Sequence, residues 1–284
     1  APIALPPLPD LVPEPIVKLA LAEDLGVAGD VTTDALIDPE TQGRWIIAAR
    51  ESGIVAGLDG ASFAAWLIDT DIEFSVAAPD GARVRAGGVI AEIEGSARSV
   101  LIAERTMLNF VGRLSGVATL TRAYVDAVAG MDVIIASTRK TTPGLRALEK
   151  RAVRLGGGGS HRYGLGDAML IKDNHIAAAG GVGAAMTRAR AAAGHLMCIE
   201  IEVDSLAQLR EALPHAPSAV LLDNFSLPDL RAAVKLAKGQ TLLEASGGIT
   251  IENVFAAAET GVDVISVGAL THSARALDVG LDAV

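Results

Sequence analysis

The second half of the chain repeats one pattern, in which a short apolar run is followed by polar or glycine residues and then by a helix-like stretch. The last four runs begin about 22 residues apart, enough for a strand, a turn, a short helix and a return loop. Such runs predict buried parallel strands, which right-handed crossovers arrange into a barrel or a doubly wound sheet. The runs are VIIAS (133–137), AMLIK (168–172), CIEIEV (198–203), AVLLD (219–223), TLLEAS (241–246) and DVISVG (263–268).

The first third has a different pattern, which predicts antiparallel strands separated by turns. Asp80-Gly81 and Gly87-Gly88 are turn signals. A long helical run follows from Ser99 to Val128, and its glycines predict breaks near Gly112 and Gly116. Helices are also predicted over 16–25 and 61–68, and the strand-like runs are RWIIAAR (44–50), IVAGL (54–58), IEFSV (72–76), ARVRAG (82–87) and VIAEIEG (89–95).

Composition excludes several classes of function. The formal net charge is −10 and aromatic residues make up 3%, which argues against nucleic acid as a partner. No apolar run approaches the roughly 20 residues that span a membrane, and the proline-rich start does not resemble a signal peptide. The single cysteine, Cys198, is predicted to be a buried apolar residue. These features predict a soluble, cytoplasmic protein.

Positive charge is concentrated in one segment of this acidic chain. Residues 139–172 contain eight Lys or Arg and two acidic residues. Lys150, Arg151 and Arg154 are interpreted as the solvated face of a helix. Arg139, Lys140 and Lys172 instead stand at strand ends, where barrel enzymes place their chemistry. This pattern indicates a small, highly anionic substrate, since Arg binds carboxylates in bidentate fashion and Lys binds phosphates.

Other strand ends carry carboxylates and glycines. Glu200 and Glu202 share one face of a strand, and Glu202, nearer its carboxyl end, is the preferred ligand. With Asp223 it would suit ribose hydroxyls or hydrated Mg²⁺. The loops ASGG (245–248) and SVGA (266–269), followed by helices predicted to start at Thr250 and Leu270, are typical of phosphate sites.

Several of these segments together resemble the quinolinate phosphoribosyltransferase family, over almost the whole chain. The central segment STRKTTPGLRALEKRAVRLGGGGSHRYGLGDAMLIKDNH carries the most specific similarity. Further matching segments, in chain order, are EDLGVAGDVTT, ERTMLNFVGRLSG, EIEVDSL, LLDNF, EASGGI and ETGVDVISVGALTHS. The resemblance implies transfer of phosphoribosyl from phosphoribosyl pyrophosphate to quinolinate, giving nicotinate mononucleotide, pyrophosphate and CO₂ in NAD biosynthesis.

The resemblance also implies a fold and an assembly. The fold is α/β: an N-terminal α/β sandwich domain over 1–112, joined by the tail 271–284, and an open α/β barrel over 113–270. A homodimer with shared active sites is implied, in which Arg105 enters the site of the partner subunit. Mg²⁺ is expected near Glu202 and Asp223, bound through substrate and water.

Site roles follow from the same resemblance. Arg139, His161, Arg162 and Lys172 would hold the two carboxylates of quinolinate. Lys140, Glu202 and Asp223 would contact the phosphoribosyl group, and these three with Lys172 are the expected catalytic residues. The 5-phosphate would lie against late loops. The remaining expected substrate-binding residues are Thr138, Ser246, Gly247, Gly248, Val267, Gly268 and Ala269.

Three alternatives remain open at this level. One is a phosphoribosyltransferase of the same fold with a different substrate, against which the arginines Arg105, Arg139 and Arg162 argue. Another is a barrel aldolase with a Schiff base on Lys172 or Lys140, which borohydride trapping would reveal. The third is a binding protein without catalytic activity.

Overall fold

The computed structural model describes residues 5–237 and 239–284. Its helices and strands follow in chain order. They are α1 (Glu14–Leu25), α2 (Val31–Leu36), β1 (Gln42–Ala49), β2 (Gly53–Ile54), α3 (Leu58–Ile68), β3 (Glu73–Val76), β4 (Arg83–Val84), β5 (Val89–Ser96), α4 (Ala97–Ala127), β6 (Ile134–Ser137), α5 (Arg146–Leu155), β7 (Gly159–Ser160), β8 (Met169–Ile171), α6 (Asp173–Ala179), α7 (Val182–Ala192), β9 (Ile199–Val203), α8 (Leu206–Ala212), a 3₁₀ turn (Leu213–His215), β10 (Ala219–Asp223), α9 (Leu227–Ala237), β11 (Leu242–Ser246), α10 (Val254–Ala258), β12 (Val264–Ser266), α11 (Ala269–His272) and β13 (Val279–Ala283).

The chain divides into two compact units. The first contains residues up to 122, the segment 141–157 and the tail from 270; the second contains 123–140 and 158–269. The helix α5 thus belongs to the first unit although it lies between strands of the second. The predicted domain limits at 112/113 and 270/271 stay predictions. No described helix is both long enough and apolar enough to span a lipid bilayer.

The first unit contains an antiparallel sheet, as predicted. Its strand order is β13-β1-β5-β3, and β2 pairs with β4 separately. The predicted strand 54–58 ends early, at Ile54. Gly57 adopts φ +97, outside the extended region, and α3 begins directly after it at Leu58. A left-handed residue at this point stops the strand and turns the chain into the helix.

The predicted breaks in the long helix are wrong, because α4 runs through both glycines. A Cβ on Gly116 would lie only 1.9 Å from the carbonyl oxygen of Arg275, and one on Gly112 3.0 Å from that of Leu277. The amide of Leu277 also donates to the Gly112 carbonyl at 2.8 Å. These glycines therefore let the C-terminal tail approach the helix backbone closely, and they do not interrupt the helix.

The second unit is the predicted open barrel. All its strand pairs are parallel, in the order β7-β6-β12-β11-β10-β9-β8. β6, the first strand of this unit along the chain, pairs with β12, its last strand, so the sheet curls and brings the two ends of the repeat side by side. β7 and β8 form the two edges, which leaves the barrel open between them.

Local expectations near the late loops are partly wrong. The helix after β11 begins at Val254, not Thr250. The side chain of Asn253 accepts from the Thr250 amide at 2.9 Å and donates to the Gly248 carbonyl at 2.9 Å, which holds this stretch as a turn.

Cys198 is exposed, contrary to the prediction, because it precedes β9 and does not belong to it.

The interpretation of Lys150, Arg151 and Arg154 as the solvated face of α5 is also wrong for two of these three cations. Lys150 is completely buried, and the Arg151 side chain forms an ion pair with Asp59 at 3.2 Å; only Arg154 is exposed. Glu149, also fully buried, pairs with Arg113 at 2.7 Å. Charged residues therefore form internal contacts of the first unit, where each needs a partner to offset its desolvation.

The buried carboxyl of Asp80 gives a pH-dependent stability. Burial raises the pKa of Asp80 to about 6, partly opposed by the hydrogen bond from the Leu58 amide. Because the folded state binds this proton more tightly than the unfolded chain does, stability falls as the pH rises from about 4 to about 6. A shift of about two pKa units corresponds to on the order of 3 kcal/mol.

Replacing Asp80 with Asn should remove this component, since Asn does not titrate and still accepts the Leu58 amide. Urea unfolding of the wild type and of Asp80→Asn at pH 4.5 and pH 7 measures it. The unfolding free energy at pH 4.5 minus that at pH 7 should be lower in the variant than in the wild type by about 1–3 kcal/mol. The same pH dependence in both proteins would contradict the assignment.

Candidate functional site

A cavity of about 540 Å³ lies in the second unit at the carboxyl ends of its parallel strands. In such barrels the strand ends and the loops that follow them are the usual place of chemistry. Most of its walls are polar or charged. The lining residues are Thr138, Arg139, Lys140, His161, Arg162, Leu170, Lys172, Glu202, Leu221, Asp223, Asn224, Glu244, Ser246, Gly247, Gly248 and Ser266.

One wall is cationic. Arg139 and Lys140 follow β6, Arg162 follows β7 and Lys172 follows β8. The Nε atoms of Arg139 and Arg162 are buried and have no hydrogen-bond partner among the described residues. Burial and the nearby charge of Arg139 lower the pKa of Arg162, while Glu200 acts in the opposite direction. Two neighbouring guanidinium groups with unsatisfied donors have the chemistry to bind an anion.

Carboxylates from β9, β10 and β11 also line the cavity. Glu202 Oε2 accepts from Lys172 Nζ at 2.8 Å, and Asp223 Oδ2 accepts from the Asn224 side chain at 2.8 Å. Glu202 lies opposite Leu221 in the strand register, and Asp223 lies opposite Ser246. The parallel register therefore brings these acidic side chains to one end of the barrel, where Glu202 contacts one of the cations, Lys172.

His161 is held by two groups of the second unit. Its Nε2 lies 2.6 Å from Glu200 Oε2, and its Nδ1 accepts from the Arg162 amide at 2.8 Å. Glu244 Oε2 lies 4.0 Å from the same Nε2. Glu200 and Glu244 are 8% and 5% exposed, so this cluster lies in the wall of the barrel and not on its surface.

A glycine turn closes the remaining side of the cavity. Gly247 and Gly248 have φ values of +88 and +61, and the Asn224 amide donates to the Ser246 carbonyl at 2.9 Å. A Cβ on Gly247 would lie 2.2 Å from Asn224 Oδ1, whereas one on Gly248 would meet nothing within 4 Å. Without side chains, the backbone of this turn is open to an oxyanion.

The structure brings most of the expected site residues into this one cavity. Val267 is buried and donates its amide to Ala136; it, Gly268 and Ala269 follow β12 but do not line the cavity. Arg105 lies on α4 in the first unit, is exposed, and has no hydrogen-bond or ion-pair partner within the described parts of the chain. The expected residues that line the cavity are Thr138, Arg139, Lys140, His161, Arg162, Lys172, Glu202, Asp223, Ser246, Gly247 and Gly248.

Five other lining residues were not among the predicted site residues, although Ser266 belongs to the predicted phosphate loop SVGA (266–269). They are Leu170, Leu221, Asn224, Glu244 and Ser266. The two-residue period of β11 could have indicated Glu244, since it shares a strand face with the expected Ser246. Glu200, set aside in favour of Glu202, is the partner of His161. Its pairing with a residue 39 positions away carries no local sequence signal.

Two family models match the chain over most of its length. The model described as "Quinolinate phosphoribosyl transferase, N-terminal domain" matches residues 30–115, and the model of the C-terminal domain of the same family matches residues 117–282.

Individual proteins are similar over nearly their whole lengths. The chain is 48% identical to a nicotinate-nucleotide pyrophosphorylase [carboxylating] of Mycobacterium leprae, covering 94% of this chain and 95% of that protein. It is 44% identical to a probable enzyme of the same name from Bacillus subtilis, with 92% and 89% covered. The solved structure of the nicotinate-nucleotide pyrophosphorylase from Francisella tularensis matches with a TM-score of 0.94 and 40% identity, over 98% of both chains.

The two glycines of the turn allow a matched test. Alanine at either position has an unfavourable positive φ, which costs about 1–2 kcal/mol. Gly247→Ala should lose a further 1–3 kcal/mol or so, because its Cβ collides with the Asn224 side chain. Urea unfolding of both variants measures the difference, with Gly248→Ala as the control for backbone strain. Equal losses would show that the close approach to Asn224 has no energetic role.

Proposed function

The chain belongs to the quinolinate phosphoribosyltransferase family, and we propose that its cavity binds quinolinate beside phosphoribosyl pyrophosphate and joins them. The products are nicotinate mononucleotide, pyrophosphate and CO₂. The observation that carries this is the pair of half-buried arginines, Arg139 and Arg162, whose buried Nε donors have no partner within the described chain. The Bacillus and Mycobacterium relatives bear the name of this carboxylating reaction.

Quinolinate fits the cationic wall. It carries two adjacent carboxylates, and Arg139, Arg162 and Lys172 supply the cations to bind them. Thr138 and His161 contribute to the same wall. Lys172 is paired with Glu202 in this structure, so a carboxylate of the substrate would compete with Glu202 for its ammonium group.

The phosphoribosyl group fits the remaining walls. We propose that Lys140, Glu202 and Asp223 contact the ribose and the pyrophosphate. The turn of Ser246, Gly247 and Gly248 offers the 5-phosphate a backbone without side chains in the way. We also propose the backbone of Gly268 and Ala269, which follow the neighbouring strand β12 outside the cavity lining, as a contact of the 5-phosphate, whereas the Val267 amide is occupied by the Ala136 carbonyl.

Mg²⁺ is part of the proposal as the companion of phosphoribosyl pyrophosphate. The donor set fits a hard cation, since Glu202 and Asp223 present carboxylate oxygens and Asp223 Oδ1 accepts no hydrogen bond within the described chain. When bound, the ion would neutralise part of the charge on the pyrophosphate.

The charges of the cavity match the charges that the reaction creates. The pyridine nitrogen forms a bond to the anomeric carbon while the bond to pyrophosphate breaks, with the electron pair leaving on pyrophosphate. Positive charge develops at the anomeric carbon, near the carboxylates of Glu202 and Asp223. Loss of CO₂ then leaves an electron pair on the ring carbon beside the nitrogen, which takes up a proton. Fixed charges stabilise each stage without a covalent enzyme intermediate.

A homodimer with shared sites is also part of the proposal. Arg105 is an exposed cation without an internal partner in the described chain, and it does not line its own cavity. Neighbours on α4 such as Met107 and Leu108 are buried, so the helix fixes where this guanidinium emerges. We propose that Arg105 binds a substrate carboxylate in the partner subunit.

A cytoplasmic location is proposed as well, in keeping with the chain's single cysteine.

Activity and selectivity test the function directly. With phosphoribosyl pyrophosphate and Mg²⁺, the protein should release CO₂ from quinolinate and form nicotinate mononucleotide. Competition binding should place quinolinate about 10- to 100-fold ahead of nicotinate, because nicotinate lacks one carboxylate for the arginines to bind. Arg139→Ala should reduce this preference. Equal affinity for the two compounds would contradict the proposed dicarboxylate site.

Complementation tests the shared site. Arg105→Ala and Lys172→Ala subunits, each inactive alone, should regain up to roughly a quarter of wild-type activity on exchange, because half the dimers are mixed and each has one intact site. The matched control mixes Arg139→Ala with Lys172→Ala, where every cavity keeps a defect and activity should stay absent. If exchange is demonstrated and the first mixture also stays inactive, Arg105 does not act in the partner.

A further inference from the structure

Three side chains form a cluster in the barrel wall, of which His161 and Glu244 line the cavity and Glu200 does not. Glu200 on β9 and Glu244 on β11 flank His161, which follows β7, and one ligand-type atom from each lies within 4.8 Å of the others. Such a group has the composition of a metal site. The hydrogen bonds around the imidazole favour a different interpretation.

The protonation of His161 follows from its partner at Nδ1. The Arg162 amide donates to that nitrogen at 2.8 Å, and a peptide N–H can only donate, so Nδ1 carries no proton. The neutral ring then bears its proton on Nε2 and donates it to Glu200 Oε2 at 2.6 Å. A metal ion would need the lone pair of Nε2, which this tautomer does not have.

Both ring nitrogens of His161 thus form hydrogen bonds within the chain, and the ring links the Glu200 carboxylate to the Arg162 main chain. Glu200 fixes the ring, and the ring fixes the main chain at Arg162, whose side chain in turn donates to the Ala168 carbonyl at 3.0 Å. Glu200 also offsets the positive charge of Arg162. Its other oxygen, Oε1, is buried without a hydrogen-bond partner in the described chain, so the carboxylate interacts mainly with this pair.

We propose that Glu200 is a positioning residue for quinolinate binding, which acts through neutral His161 to hold Arg162 against the cavity. The proposal rests on the proposed function for its substrate. It assigns His161 the role of a support for Arg162 in place of a direct ligand to a carboxylate. Glu200 does not line the cavity and is not expected to touch either substrate.

The tautomer can be measured in the wild-type protein without any substrate. In ¹⁵N-labelled protein, two-bond ¹H–¹⁵N spectra of the imidazole rings should show His161 as one neutral species protonated at Nε2 between pH 6.5 and 8. His161→Gln assigns the signals. The exposed His195 is the internal comparison, since a solvated ring averages both tautomers. A His161 ring that is protonated at Nδ1 would overturn the proposal.

Two substitutions at Glu200 then distinguish the effect of losing the hydrogen bond to His161 from a general effect on folding. Glu200→Gln keeps an acceptor for Nε2–H, while Glu200→Leu removes it but suits a strand position between Ile199 and Ile201. Calorimetry should show quinolinate binding weakened roughly 10- to 100-fold in Glu200→Leu, the effect expected from losing one hydrogen bond to a charged acceptor. Glu200→Gln should restore most of that affinity and the Nε2–H signal.

Binding of phosphoribosyl pyrophosphate serves as the control for general damage. Its affinity should stay within about threefold of wild type in both variants, since neither changes the proposed phosphoribosyl contacts. Wild-type affinity for quinolinate in Glu200→Leu, or equal losses for both substrates, would overturn the positioning role. If the wild type itself fails to bind quinolinate, the proposed function fails, whereas the ring spectra still decide the state of His161.

Discussion

The closeness of Arg139 and Arg162 in a partly buried wall is the constraint on which the site depends. Like charges in such a place repel each other and lose hydration, which lowers the pKa of Arg162. The arrangement persists because Glu200 lies near enough to act against that shift and, through His161, to fix the main chain at Arg162. The unsatisfied donors that remain are those an anionic substrate would use.

The parallel sheet lets these charges meet. Each strand delivers its last residues to the same end of the barrel, so residues far apart in sequence face one cavity. Alternation along a strand places Glu200 and Glu202 on one face, yet they have different partners, His161 and Lys172. Glu200 supports Arg162 through His161 without lining the cavity, whereas Glu202 lines the cavity and pairs with Lys172. Position along a single strand thus decides which of the two carboxylates lines the cavity.

The first unit stabilises charge in another way. Glu149 is fully buried, accepts from the Thr142 amide and hydroxyl, and pairs with Arg113. This network fixes the segment that begins at Thr141, directly after the cations Arg139 and Lys140 that follow β6. Acceptors from several elements compensate one buried carboxylate, and such satisfaction of every partner is what makes burial of an ion pair tolerable. Removal of Arg113 would leave the fully buried Glu149 carboxylate without its ion-pair partner.

The sequence alone determined the strand-rich first third, the parallel strands of the second half and the cationic strand ends, because apolar period and strand-end chemistry are local properties of the chain. Its signature segments also sufficed to predict the family. Only the tertiary structure decided that α4 runs through Gly112 and Gly116, that Lys150 is buried, and that Glu200 pairs with His161. Each of these depends on a partner far away in sequence, whose approach no local pattern encodes.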